Sequence, residues 1–371
     1  MGIELGRIHN PTHEIISLSD YRTRHAQYKA EPQTQAMHAA HPMIAIWDDH
    51  EISNNSWRDG AQNHSQKEGP WEMRKAAAMQ AYYEWMPVRE PKPGRARENL
   101  FRAFDYGDLL NLCTIETRLT ARVREIDYNQ YADTFTDAAH IQAFTKDILG
   151  DESRELLGAA QREYVVNTLS KSKHSGQKWR LIANQVTMAR VILPDIRDWV
   201  EKGYIEDIKT RFKSIEKFVA LSPLGLPMNL DAWDGYPAAR ERLYADLSAQ
   251  GVNDLLVLTG DTHVWWANRL DAKNGTKMGI ELGGSSVTSP GFGTYLGAAS
   301  EDFEHKVVAL NDDVEYLKIN THGYIDLKLA HEGGSADFVT VSTVKEPNYT
   351  TKILKSFALQ HAGNSIGFSD G

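Results

Sequence analysis

Two stretches of this chain end an apolar run in side chains that can bind cations or move protons. The first is "HPMIAIWDDHEISNN", where Met43 to Trp47 is followed at once by Asp48, Asp49, His50 and Glu51. The second is "DLLVLTGDTHVWW", where an apolar run meets Gly260 and then Asp261 and His263. In open α/β folds ligands bind at the carboxyl ends of strands, so a strand ending in Asp-Asp-His-Glu delivers three carboxylates and an imidazole to that edge. A helix N-cap with acidic residues near the positive end of the helix would also use an Asp there, but one suffices for that purpose. The Asp-x-His step at 261–263 aims two metal-competent groups at one point, although a turn Asp and a half-buried His would read the same way alone. Together Asp49, His50, Asp261 and His263 form a mixed oxygen and nitrogen set. Such a set suits hard or borderline divalent ions rather than a thiolate-bound metal.

Two further strand ends add weaker signals. "WRLIANQVTMAR" ends in Asn184 and Gln185, whose amide oxygens can ligate a metal and whose N–H groups can donate to an oxyanion. "LLNLCTIETR" ends in Glu116 and Arg118. An arginine there can clamp a phosphate bidentately, or serve in a structural ion pair. The chain has no P-loop motif, "GFGTYLG" has the wrong glycine spacing for a dinucleotide fingerprint, and "GGSSVTSPG" does not match a serine-hydrolase elbow. That last stretch reads instead as a backbone loop near the metals, and Trp265 and Trp266 as pocket wall or core.

The elements that must position these groups follow from the apolar patterning. Strands are expected at Met43–Trp47, Asp108–Ile115, Trp179–Val186, Asp254–Thr259, Met278–Leu282, Lys306–Leu310, Val314–Ile319, Gly323–Leu329 and Phe338–Val344. Helices are expected at Leu18–Ala40, Trp71–Trp85, Leu156–Ser170 and Pro237–Gln250. Strands spaced by helices give an α/β core, and the last four strands are close enough for an antiparallel meander. Residues 86–99 and 121–155 read as polar surface excursions, and the tail after Lys345 as loosely packed. Nothing marks a boundary within the 371 residues, so one domain is expected.

Composition excludes some classes. Fifty acidic residues against 41 basic give a net charge of −9, which disfavours a nucleic-acid partner held through phosphates and an anionic membrane surface. No stretch approaches a membrane span, and the polar start lacks a secretory h-region. The single cysteine, Cys113, lies in an apolar run and reads as core.

The stretches "LSDYRTRHAQYKAEPQTQAMHAAHPMIAIWDDHEISNN", "LTGDTHVWW" and "ELGGSSVTSPG" resemble the alkaline phosphatase D-like (PhoD-like) branch of the calcineurin-like metallophosphatases. "FRAFDYGDLLNLCTIETR" and "QREYVVNTLSKSKHSGQKWRLIANQV" fit the same pattern, in the family's order. The resemblance implies a two-layer β-sandwich flanked by helices, a two-metal site at the strand ends, and hydrolysis of phosphate mono- or diesters at alkaline pH. It implies Asp49, Asp261, His263 and Asn184 as metal ligands, the metals being drawn from Ca, Mg, Zn, Mn or Fe. It implies His50 as the histidine that contacts the phosphoryl group, with Arg118 beside it, and Asn54 and Gln185 on the substrate. It implies a bacterial protein, periplasmic or secreted, with the cytoplasm as the alternative.

The family carries an upstream segment with the first metal ligands, including a Gly-Asp-x-x-Tyr motif, ahead of the "LSDYRTR" helix. That motif is absent before Leu18 here. The expectation is therefore an N-terminally truncated chain with an unpaired sheet edge at Met43–Trp47, covered by self-association as a homodimer. The alternative to a hydrolase is a weakly active or non-catalytic remnant that keeps the fold and binds metal.

Overall fold

In a computed structural model, described over residues 2–369, the chain gathers into two compact units. Among the described residues, the first comprises 2–101 and 116–124, the second 102–115 and 125–369.

The first unit is helical. Its helices are α1 (Leu18–Lys29), α2 (Pro32–Ala40) and α3 (Trp71–Trp85). The single helix expected over Leu18–Ala40 is two, because Pro32 lacks the N–H a helix interior needs and instead opens α2 at its first turn. A capping box starts α1: Ser17 Oγ accepts from Asp20 N, and Asp20 Oδ2 accepts from Ser17 N. The core gathers Tyr21, Trp47, Ile52, Trp71, Met79 and Tyr82. Trp47 meets Tyr82 edge-on with ring centroids 5.3 Å apart.

The expected strand at Met43–Trp47 is a correction. These residues form no strand, and none exists among the described residues of this unit. Their apolarity serves burial rather than a ladder: Ala45 and Trp47 are buried while Met43 and Ile44 stay exposed. Self-association through an unpaired edge there has no strand to act through.

The second unit holds two sheets. The larger contains β1 (Arg102–Tyr106), β2 (Leu110–Thr114), β3 (Trp179–Ala183), β4 (Leu255–Thr259), β5 (Trp265–Asp271), β6 (Lys277–Gly283) and β7 (Val314–Lys318), in the order β1-β2-β3-β4-β6-β5-β7. Strands β2, β3, β4 and β6 run parallel; β1, β5 and β7 pair antiparallel with their neighbours. The smaller sheet is an antiparallel meander of β8 (Gly323–Leu329), β9 (Gly334–Val341), β10 (Thr351–Ala362) and β11 (Ser365–Ser369). One apolar layer takes side chains from both sheets. Trp179, Leu256, Trp265 and Ile280 come from the larger, Phe338, Phe357 and Leu359 from the smaller. Trp265 stacks on Phe338 with centroids 5.0 Å apart. This is the expected α/β two-layer β-sandwich.

Eight helices of this unit are α4 (Ala138–Ala143), α5 (Gly158–His174), α6 (Asp198–Glu201), α7 (Tyr204–Lys209), α8 (Ile215–Leu221), α9 (Pro237–Ala249), α10 (Gly293–Leu296) and α11 (Ser300–Leu310). α5 lies on β2 and β3, and α9 on α5. The strand expected at Lys306–Leu310 is instead the end of α11. Phe303 and Val307, four apart, are both buried, which is a helical stripe and not a strand alternation. The tail after Lys345 is not loose: it supplies β10 and β11, half the smaller sheet. Within residues 121–155, Phe144 and Leu149 are buried in a cluster with Ile126 and Leu226, so that stretch is not all surface. No helix among the described residues is long and apolar enough to cross a membrane.

Candidate functional site

In the first unit, the chain leaves buried Trp47 and turns sharply. Ile52 N and Ser53 N both donate to Asp49 O at 2.8 Å, closing one helical turn over residues 49–53. The Asp49 side chain is buried, and its Oδ2 accepts from Asn55 N at 2.7 Å. Asn55 adopts φ 47°, a left-handed conformation that Asn tolerates. Glu51 folds back, its Oε2 accepting from Asp48 N at 2.9 Å. Its carboxyl is pushed up to about 7, first by burial and then by the Asp48 charge. The carboxylates of Asp48 and Asp49 each place an oxygen within 4.8 Å of the other. Two carboxylates so close repel, and a cation is the natural counterweight.

His50 stands outside this network. Its side chain is 71% exposed, with Nε2 3.8 Å from Asp49 Oδ2. That distance is an electrostatic contact rather than a hydrogen bond, and it leaves the ring accessible. Arg118 is different. It is fully buried, and its Nε donates to Asp48 Oδ1 at 2.6 Å. Asn54 Nδ2 donates to Gln62 Oε1, so part of its amide is engaged within its own loop.

The sequence alone assigns Glu116 no role. It is fully buried, and its carboxylate accepts from Trp47 Nε1, Arg118 N, Leu119 N and Thr120 N at 2.7–2.9 Å. It ties the residue before the Asp-Asp-His turn to the segment carrying Arg118. The signal that could have found it is an acidic residue ending the apolar run "LLNLCTI", where only a heavily bonded carboxylate can be buried.

In the second unit, the neighbouring parallel strands β3 and β4 end together. Asn184 N donates to Leu258 O and Gly260 N to Gln185 O, each at 2.9 Å, so pairing runs past both strand ends. This brings Asn184 and Gln185 alongside Thr259, Gly260 and Asp261. Asp261 and His263 take φ 64° and 57°, left-handed in residues other than glycine. That conformation costs about 1–2 kcal/mol per residue, and such strain concentrates at functional turns. His263 Nδ1 donates to Pro290 O at 3.1 Å; the carbonyl can only accept, so in the neutral ring the proton sits on Nδ1 and the lone pair on Nε2. Gln185 is buried, and its backbone carbonyl takes the Gly260 bond.

Asn184 tests whether these residues suit a cation. Its Nδ2 donates to Val186 O at 2.6 Å, while its Oδ1 is buried and accepts no hydrogen bond among the described residues. A buried carbonyl oxygen without a donor costs about 1–3 kcal/mol. A hard divalent ion relieves that cost, and the Asp261 carboxylate and His263 Nε2 lone pair complete a donor set of the right chemistry. The residues fit a metal.

A family model described as PhoD-like phosphatase matches residues 2–338. Alkaline phosphatase D of Bacillus subtilis (strain 168) is 31% identical over 361 residues, which cover 95% of this chain and 53% of the relative. A solved structure of PhoD superposes with a TM-score of 0.71 at 26% identity, covering 97% of this chain and 61% of that one. The chain thus spans about half the length of the curated relative. With the family pattern running from residue 2 almost to the end of β9, this chain belongs to the PhoD-like phosphatase family.

Proposed function

We propose that the chain hydrolyses phosphate esters with the help of bound divalent cations. The observation that carries this reading is the buried, donor-less Asn184 Oδ1 beside the strained Asp261–His263 turn. Each unit carries donors for a cation: Asp49 in the first, and Asn184, Asp261 and His263 in the second. The mixed oxygen and nitrogen set suits Ca, Mg, Mn, Zn or Fe. When bound, such ions polarise the phosphoryl oxygens and lower the pKa of a coordinated water.

The chain's own groups take the remaining roles. Exposed His50 donates to a non-bridging phosphoryl oxygen or protonates the leaving alkoxide. Gln185 and Asn54 are offered to the substrate. Arg118, buried against Asp48, holds that carboxylate in place. Monoesters and diesters are both within this reading.

The test is turnover of p-nitrophenyl phosphate and of bis(p-nitrophenyl) phosphate at pH 8–10, with and without chelator. Chelator-sensitive turnover that returns with one divalent ion is the expected result. No turnover with any divalent ion, while metal still binds, would favour a metal-binding fold without catalysis.

A further inference from the structure

His322 immediately precedes β8, outside both acidic motifs. Its backbone is fixed twice, with Thr340 Oγ1 and Val341 N each donating to His322 O at 2.9 Å. Its ring nitrogen Nδ1 lies 3.0 Å from Ser286 Oγ. Ser286 Oγ also bonds Ser289 O. A hydroxyl has one proton, and a carbonyl can only accept. The Ser286 proton therefore goes to Ser289 O, and the Ser286–His322 bond must be donated by His322 Nδ1–H. That leaves Nε2 of His322 with its lone pair.

The same loop sets the other histidine. Pro290 O holds the His263 proton on Nδ1, and Ser285 Oγ reaches both His263 O at 3.2 Å and Thr321 O at 2.7 Å. The packing leaves little slack: a Cβ on Gly291 would stand 2.5 Å from His263 O and 3.2 Å from Ile319 O. Because Ser285 Oγ bonds the backbone on both sides, it sets His263 beside the residue that precedes His322. A serine-rich loop that puts the proton of two neighbouring histidines on Nδ1 performs the task that outer hydrogen-bond partners perform around ligating histidines.

We propose that His322 is a further metal-binding residue, offering Nε2 to a divalent cation, and that Ser286 is the positioning residue that fixes its tautomer. The proposal rests on the metal-dependent reading above.

The experiment uses the full chain stripped of metal, with cobalt(II) alone as the probe, titrated through its visible absorption bands. Long-range 1H–15N spectra of the metal-free protein report each ring's tautomer, with His322 assigned by its loss in His322→Asn. The expected result is the Nδ1–H tautomer at His322 and weaker cobalt binding in His322→Ala. In Ser286→Ala the tautomer bias should relax and affinity fall about tenfold, the low end for outer hydrogen-bond partners. Circular dichroism checks folding, and Ser286→Ala keeps the proposal open to refutation should His322→Ala not fold. An Nε2–H tautomer in the wild type, no cobalt binding by it, or unchanged affinity in His322→Ala overturns the proposal. Ester turnover with His322→Ala affinity unchanged sinks this proposal alone. Cobalt binding that His322→Ala weakens, without any ester turnover by the wild type, sinks the hydrolase reading alone.

Discussion

Arg118 Nε donates to Asp48 Oδ1 at 2.6 Å, from a guanidinium with no exposed surface to a carboxylate about a quarter exposed. A buried cation facing the carboxylate before Asp49 suits a brace for that carboxylate, and the clamp on substrate makes a different prediction. Arg118→Met should remove the buried guanidinium that bonds Asp48. Breaking a buried pair on one side costs about 3–5 kcal/mol; partial exposure of Asp48 lets it rehydrate and puts this case near the low end, about 3 kcal/mol. The urea midpoint should fall accordingly. A phosphate clamp predicts the opposite pattern: an unchanged midpoint with a raised KM.

His50 should behave in the contrary way. Its side chain is mostly exposed and only grazes Asp49, so His50→Ala should leave the melting temperature within a degree or two of wild type. If the ring donates to charge developing on the phosphoryl group, its removal should lower kcat about 10²–10³-fold. Wild-type kcat in the folded variant would assign the transition-state contact to another group.

The difference between these two residues shows what the sequence could and could not carry. "IWDDHE" and "TGDTH" announce where polar chemistry meets the end of an apolar run, and both turns lie there. The strands β2, β3, β4 and β6 were legible because each is a short apolar run with a helix or turn on either side. Met43–Trp47 reads the same way, yet forms no strand, since a strand exists only through a neighbour that the run itself does not name. β10 was missed because "TKILKSFALQHA" is half exposed and lacks a continuous apolar stretch. Glu116 and Ser286 act through bonds to residues far along the chain, 69 positions away for Trp47 and 36 for His322, so no local pattern reveals them.

Cys113 gives a pH prediction. It is the only cysteine, fully buried on β2, and burial pushes its thiol from 9.0 up to about 12. It should not react with a thiol reagent at pH 8 in the folded chain, and should give one equivalent in urea. The raised value also sets a sign. Above pH 9 the unfolded chain loses this proton while the folded chain keeps it up to about 12. The stability contributed is therefore complete below pH 9 and falls as pH rises through that window, by at most about 1.4 kcal/mol per unit. Urea midpoints of wild type and Cys113→Ala across pH 8–11 should converge as pH rises. Parallel curves would remove the thiol as the cause.

The strained turn at His263 makes the last prediction, and pairs stability against binding. His263→Ala and His263→Gly both remove the imidazole and its bond to Pro290, so the two variants differ mainly in backbone freedom. At φ 57° an alanine bears the left-handed cost of about 1–2 kcal/mol, which glycine escapes. Glycine loses about 0.5–1 kcal/mol more than alanine in ordering its chain. The difference leaves His263→Gly more stable than His263→Ala by about 0.5–1 kcal/mol, a shift in melting temperature of a few degrees at most for a chain of this size. Both should bind cobalt(II) at least tenfold more weakly than wild type, as should Asp261→Asn. Metal-free melting curves and cobalt titrations of these variants check the two halves separately. If alanine proves the more stable, residue 263 is not held in the left-handed region in solution. If all three variants keep wild-type affinity, the Asp-x-His turn serves the fold and not a metal.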